Sequence, residues 1–239
     1  MDAASALLIF DLDGTLIDSS TDLVRSVNAV LRALGRTPLD EETVSHYVGD
    51  GATLLLQRAL GLAPPPRRWL PPPPSAELDA EQKELSDCAV AMFLEYYDAH
   101  KLDATALYPG VDEGLRALRA AGARLAVLTN KPVRPSVEIV EHLGIAGLFE
   151  AVYGGNSFAQ KKPDPMGIQV LLAQCGVEPR QAVMIGDSAV DVRAGRNAGV
   201  WTAGVSYGFA PESFAQQPPD VTAASFGELS AVLLQAMAE

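Results

Sequence analysis

The chain has 239 residues, 48% of them hydrophobic, with 18 basic against 30 acidic side chains, a net charge of −12 and a pI near 4.7. A field of that sign opposes nucleic acid and anionic membrane surfaces, so neither is expected as a partner, and a phosphorylated ligand must be held by local cations. No apolar run is long enough to span a bilayer, the first ten residues lack a secretion-signal pattern, and Cys88 and Cys175 have no metal-type spacing; the expected location is the cytoplasm.

The first element is the apolar run Ala6–Phe10, which reads as a buried strand. It runs directly into Asp11-Leu12-Asp13-Gly14-Thr15. Strand side chains repeat every second residue, so Asp11 and Asp13 can share a side, and Gly14 allows a sharp turn. Two carboxylates so close repel each other and call for a cation, a shared proton or both. That pattern suits a cation-assisted site in which one aspartate attacks and the other handles a proton.

Residues 19–107 show only helical patterns: Asp22–Leu34, Glu41–Val48, Ala52–Leu60 and Glu77–His100. They read as an all-helical cap domain inserted after the first strand, with punctuation near Asp18–Ser20 and Tyr108-Pro109-Gly110. Residues 1–18 and 108–239 then form the core. Within the cap, Gly49, Asp50 and Gly51 form a candidate substrate-contact loop, because glycine permits close backbone approach; a plain helix-to-helix turn is the competing reading. Arg25, Arg32, Arg58, Lys83 and Lys101 are the cap's candidate cations for an anionic substrate group. Seven of the eleven residues from Pro64 to Pro74 are proline, which reads as a semi-rigid surface excursion.

Beyond the cap, strand-like runs at Arg124–Leu128, Ala151–Tyr153, Ala182–Ile185 and Trp201–Val205 alternate with helical patterns. The helices are expected at Val111–Ala121, Ser136–Leu143, Gly167–Cys175, Ala189–Ala198 and Phe226–Met237. Such alternation predicts an α/β fold with a doubly wound parallel sheet. Ligands of open sheets bind beyond the carboxyl ends of the strands. Three further polar clusters lie there: Thr129-Asn130, Lys161-Lys162-Pro163-Asp164-Pro165, and Gly186-Asp187-Ser188-Ala189-Val190-Asp191. Any one of them has an ordinary reading as a helix cap or a solvated lysine. His46, His100 and His142 show no ligand spacing and read as structural or surface residues.

All four clusters, in this order, resemble the motifs of haloacid dehalogenase (HAD) superfamily phosphatases with a helical cap: Asp11–Thr15, Thr129, Lys162, and Gly186-Asp187 with Asp191. Dehalogenase members lack the second aspartate, so Asp13 separates the chain from them. Within the superfamily the chain is most similar to bacterial phosphoglycolate phosphatases, on Val48-Gly49-Asp50-Gly51, Thr129-Asn130-Lys131-Pro132, Gly154-Gly155, Lys161–Pro165 and Tyr207-Gly208. Phosphatases of N-acetylmuramate 6-phosphate share a stretch like residues 129–134, and phosphoglucomutase-type members share the first motif. A phospho-acceptor signalling domain uses a similar acidic pocket but has no cap.

The expected reaction is hydrolysis of a small phosphorylated metabolite through an aspartyl-phosphate. Asp11 is the expected nucleophile and Asp13 the general acid and base. The Thr129 hydroxyl, the Asn130 N–H and Lys162 would hold the phosphoryl group. At 4 Å and an effective dielectric of ~20, each like-charge pair costs about 4 kcal/mol, so an incoming phosphate needs cations. Mg²⁺ is the expected cofactor, held by Asp11, Asp187 and a main-chain carbonyl, that of Leu12 or, as the resemblance implies, of Asp13. Asp191, with Ser188, would orient a bound water from outside the ligand set. A monomer or homodimer is expected.

Overall fold

The computed structural model describes residues 6–65 and 78–238. Most of the proline-rich stretch, from Pro66 onward, and the expected helix start at Glu77 lie outside the described residues.

In chain order the elements are β1 (Leu7–Phe10), β2 (Ile17–Asp18), α1 (Ser20–Ala33), α2 (Glu41–Tyr47), α3 (Ala52–Ala59), α4 (Ala80–His100), β3 (Ala106–Leu107), α5 (Val111–Ala120) and β4 (Arg124–Leu128). There follow α6 (Val133–His142), β5 (Ala151–Tyr153), α7 (Met166–Cys175), β6 (Ala182–Gly186), α8 (Ala189–Ala198), β7 (Trp201–Val205), β8 (Val221–Ala223) and α9 (Phe226–Ala238). The chain divides into two compact units, Met1–Asp18 with Ala106–Glu239, and Ser19–Thr105.

The first unit is an α/β fold built on a six-stranded sheet in the order β5-β4-β1-β6-β7-β8, with every neighbouring pair parallel. All four residues of β1 are buried, which suits its place between β4 and β6. Leu7 and Ile9 pack on one face with Ala126, Leu128, Met184, and Ile168 and Leu171 of α7. On the other face Phe10 meets Phe226 of α9, ring centroids 6.0 Å apart. Helices on both faces make the sheet doubly wound. Each fully buried Leu, Ile or Phe contributes about 1.5–3 kcal/mol relative to exposure, so β1 anchors the loop that follows it.

Three strands have no counterpart among the apolar runs. β8 is a three-residue edge strand following Pro218-Pro219-Asp220. β2 and β3 form a two-residue antiparallel ribbon, Ile17 opposite Leu107 and Asp18 opposite Ala106. This ribbon places Ala106 and Leu107 in the first unit, two residues before the boundary expected at residue 108. Helix α6 begins at Val133, ahead of Pro135, rather than at Ser136, because proline is tolerated in a helix's first turn.

The second unit is helical. Helix α1 packs on α2 and α4, and α3 on α4. Asp22, fully buried in the first turn of α1, accepts hydrogen bonds from the N–H groups of Ala104 (3.0 Å) and Thr105 (2.8 Å) and from the Thr105 hydroxyl (2.8 Å). These bonds tie the unit's first helix to its last residues. Asn28 similarly bonds both the N–H and the carbonyl of Leu39, each at 2.8 Å.

Candidate active site

The carboxyl ends of β1, β4 and β6 bring three of the four clusters together, and the loop after β5 delivers the fourth. Immediately after β1, the Asp11 N–H donates to the Ile185 carbonyl at 2.8 Å, extending the ladder by one residue. The chain then turns: the Leu12 carbonyl accepts from the N–H groups of Thr15 (3.2 Å), Leu16 (2.9 Å) and Ile17 (3.1 Å). That carbonyl is engaged in the turn, which favours the Asp13 carbonyl over it as a main-chain cation ligand.

Lys162 is 4% exposed, and its Nζ lies 2.9 Å from Asp11 Oδ1 and 2.7 Å from Asp191 Oδ1. The Lys162 carbonyl accepts from Asn130 Nδ2 at 3.0 Å, so the β4 loop holds the lysine's main chain while two carboxylates hold its head. The Lys162–Pro163 peptide is cis. Asn130 thus meets the Lys162 loop through its side chain. Thr129 Oγ1 accepts from the Lys131 N–H at 3.2 Å, leaving its own O–H to donate elsewhere.

Asp187 is buried, and its Oδ2 accepts from the Phe209 N–H at 2.6 Å and the Ala210 N–H at 3.4 Å. Asp191 Oδ2 accepts from the Ser188 hydroxyl at 2.6 Å and its N–H at 3.2 Å. Two glycines permit this crowding. A Cβ at Gly186 would overlap the Asp191 carboxylate, and one at Gly208 would overlap the Asp187 side chain and the Gly14 carbonyl. One carboxylate oxygen from each of Asp11, Asp187 and Asp191 falls in a group within 4.8 Å of one another. Hard oxygen donors in that arrangement fit a divalent cation such as Mg²⁺. Asp191, read from the sequence as standing outside the ligand set, is part of this group, although both its oxygens already accept hydrogen bonds. The Asp13 side chain is not part of it.

Asp13 instead pairs with Lys131, whose Nζ lies 3.1 Å and 3.2 Å from its two oxygens. The Lys131 side chain is 5% exposed and that of Asp13 12%. No sequence pattern marks Lys131 for this pairing, since its partner is 118 residues away. The other unforeseen contribution comes from the loop after β7. Besides the main-chain donors to Asp187, Tyr207 donates its hydroxyl to the Thr15 carbonyl at 2.7 Å and packs its ring on Tyr108, centroids 4.7 Å apart. Backbone donors carry no side-chain signature, so only the Tyr207-Gly208 dipeptide hinted at them.

Four carboxylates (Asp11, Asp13, Asp187, Asp191) meet two ammonium groups (Lys131, Lys162) in this site. Burial pushes Asp11 up to about 6, with Lys162 pulling back and Asp191 pushing further. Burial also raises Asp187 well above the usual carboxylate range, reinforced by Asp191 and Asp11 and opposed by the Phe209 and Ala210 N–H groups. For Lys162, burial disfavours the charged form, but Asp11 and Asp191 outweigh it and the ammonium is held more firmly than usual. A surplus of buried negative charge is what a cation and a phosphoryl group would relieve.

Gly49, Asp50 and Gly51 belong to the helical unit. They link α2 to α3, with Gly49 and Gly51 at φ of +119° and +94°. Asp50 accepts from Arg58 at 2.6 Å, and Arg58 also donates to the Tyr47 carbonyl at 3.0 Å. Arg58 is therefore engaged within its own unit, as is Lys101, which bonds the Asp98 carboxylate and carbonyl at 2.9 Å and 2.6 Å.

Residues 8–205 match the haloacid dehalogenase-like hydrolase family. The chain is 41% identical over 207 residues to a phosphoglycolate phosphatase of Psychrobacter arcticus, covering 85% of this chain and 84% of that protein. It is 38% identical over 231 residues to a phosphoglycolate phosphatase of Vibrio vulnificus, covering 95% and 96%. Its fold is similar to the crystal structure of a predicted phosphoglycolate phosphatase from Haemophilus somnus, with TM-score 0.83, 32% identity, and coverage of 96% and 98%.

Proposed function

The chain belongs to the haloacid dehalogenase-like hydrolase family and is a phosphatase, and on that footing we propose that it hydrolyses 2-phosphoglycolate to glycolate and inorganic phosphate. The observation that carries the reading is the buried Asp11 carboxylate, 2.9 Å from Lys162 and grouped with Asp187 and Asp191. Asp11 attacks phosphorus, forming an acyl-phosphate bond as the ester P–O bond breaks, and Asp13 gives its proton to the departing alkoxide. Asp13 then takes a proton from the water that hydrolyses the aspartyl-phosphate, which frees Asp11. Lys162, the Thr129 O–H and the Asn130 N–H hold the phosphoryl oxygens. Asp11, Asp187 and the Asp13 carbonyl would hold Mg²⁺, and Asp191, fixed by Lys162 and Ser188, supports them from behind. When bound, Mg²⁺ offsets the charge that substrate and carboxylates share.

No helix among the described residues is long and apolar enough to cross a membrane. Cys88 and Cys175 are free thiols, which supports a reducing cytoplasm as the working compartment.

The test is phosphate release from 2-phosphoglycolate, N-acetylmuramate 6-phosphate and hexose phosphates, with Mg²⁺ and with EDTA. The expected result is the highest kcat/KM on 2-phosphoglycolate, loss of activity in EDTA and recovery on adding Mg²⁺. A higher kcat/KM on a sugar phosphate would replace the substrate, and phosphoryl return to a sugar would mark a mutase.

A further inference from the structure

A substrate such as 2-phosphoglycolate presents two anions, and the site holds two buried lysines with different partners. Lys162 serves Asp11 and Asp191, the carboxylates grouped for the phosphoryl end. Lys131 reaches both oxygens of Asp13, at 3.1 Å and 3.2 Å. We propose that Lys131 is the specificity residue that reads the carboxylate of the leaving group, a role that rests on the substrate reading above.

Three observations support this assignment. First, Asp13 must touch the departing oxygen to protonate it, and in 2-phosphoglycolate the carboxyl carbon lies only two bonds from that oxygen. A cation within hydrogen-bond reach of Asp13 is therefore within reach of the substrate's carboxylate. Second, Lys131 is held in place by its main chain: its N–H donates to Thr129 Oγ1 at 3.2 Å, and its carbonyl accepts from the Gly155 N–H at 2.8 Å. The same short loop thus aims one group at the phosphoryl oxygens and another at Asp13. Third, the lysine side chain is 5% exposed, so water screens its charge little and its preference for an anion is strong. An uncharged leaving group offers it no counter-charge. When substrate is bound Asp13 carries the proton it will donate, so the substrate's carboxylate takes over as an anion beside the Lys131 ammonium.

The experiment compares kcat/KM for 2-phosphoglycolate with that for ethyl phosphate, in which a methyl group stands where the carboxylate was. Wild type, Lys131→Met and Lys131→Arg are each assayed on both substrates from one preparation. The ratio of the two values is independent of the fraction of protein folded, so a destabilised variant still reports. Lys131→Met should reduce the preference for 2-phosphoglycolate by at least ten-fold, chiefly through KM, and Lys131→Arg should restore part of it. Equal losses on both substrates would overturn the proposal and leave Lys131 as a residue that only positions Asp13. An unchanged preference would overturn it too. A wild-type enzyme with no preference for 2-phosphoglycolate would bring down the substrate reading and this assignment together.

Discussion

In the helical insert, Asp22 receives three hydrogen bonds, Arg58 faces Asp50 and the Tyr47 carbonyl, and Lys101 faces the carboxylate and carbonyl of Asp98. At the mouth of the sheet, four aspartates share two lysines, and burial drives Asp11 and Asp187 toward protonation. Both regions bury charge, but only the insert matches it internally. Charge matched within the fold does structural work, whereas the surplus of carboxylates at the end of the sheet suits a site that binds a cation. A buried ion pair is thus weak evidence for a site, and an imbalance among buried ions is stronger evidence.

Four substitutions or titrations sharpen this contrast. Asp11→Asn should lower turnover of 2-phosphoglycolate by at least about a thousand-fold while the melting temperature holds or rises, because a raised, repelled carboxylate is replaced by a neutral amide. Substantial residual turnover would remove Asp11 as nucleophile. Asp13→Asn should slow both half-reactions by roughly 10²–10⁴-fold, seen in single-turnover and burst kinetics. In the insert the sign on stability reverses. Asp22→Ala leaves three donors, two of them buried, without their acceptor and should cost about 2–4 kcal/mol in urea unfolding. A loss near zero there would erase the distinction drawn between the two regions.

The smallest expected effect is a pH dependence. Asp11 is raised from 3.8 to about 6 in the fold, and Asp187 moves the same way, so the folded chain holds protons that the unfolded chain releases. Their contribution to stability is therefore fully present at low pH; that of Asp11 is lost as pH rises through about 6, and that of Asp187 is lost above the usual carboxylate range. Mg²⁺ binds the ionised carboxylates, so its stabilisation should grow across the same range. Melting temperatures with and without Mg²⁺ at pH 5 and pH 7.5 should show the larger increment at the higher pH. Equal increments would show that these carboxylates do not hold the ion.

Much of the fold was readable because β1, β4, β5, β6 and β7 are short apolar runs between turns, and buried parallel strands must be apolar on both faces. β8 was not readable: Val221-Thr222-Ala223 at the sheet's edge is too short and too mixed to show a period. The two-residue strands β2 and β3 leave no period at all. In the site, Asp11, Asp13, Thr129, Lys162, Asp187 and Asp191 stood out because each follows a strand. Lys131 did not, since a lysine in a loop is ordinarily solvated, and only tertiary structure puts Asp13 beside it. The Phe209 N–H that steadies Asp187 belongs to every residue alike, so no side-chain pattern marks it.

The bond from Asp22 to Ala104 and Thr105 has an evolutionary consequence. It closes an insertion upon itself, so the segment's entry and exit lie side by side, whatever length of chain runs between them. Loop closure then costs little more for a long segment than for a short one. A module stitched shut at its own neck can be lengthened, trimmed or exchanged for another without re-threading the sheet.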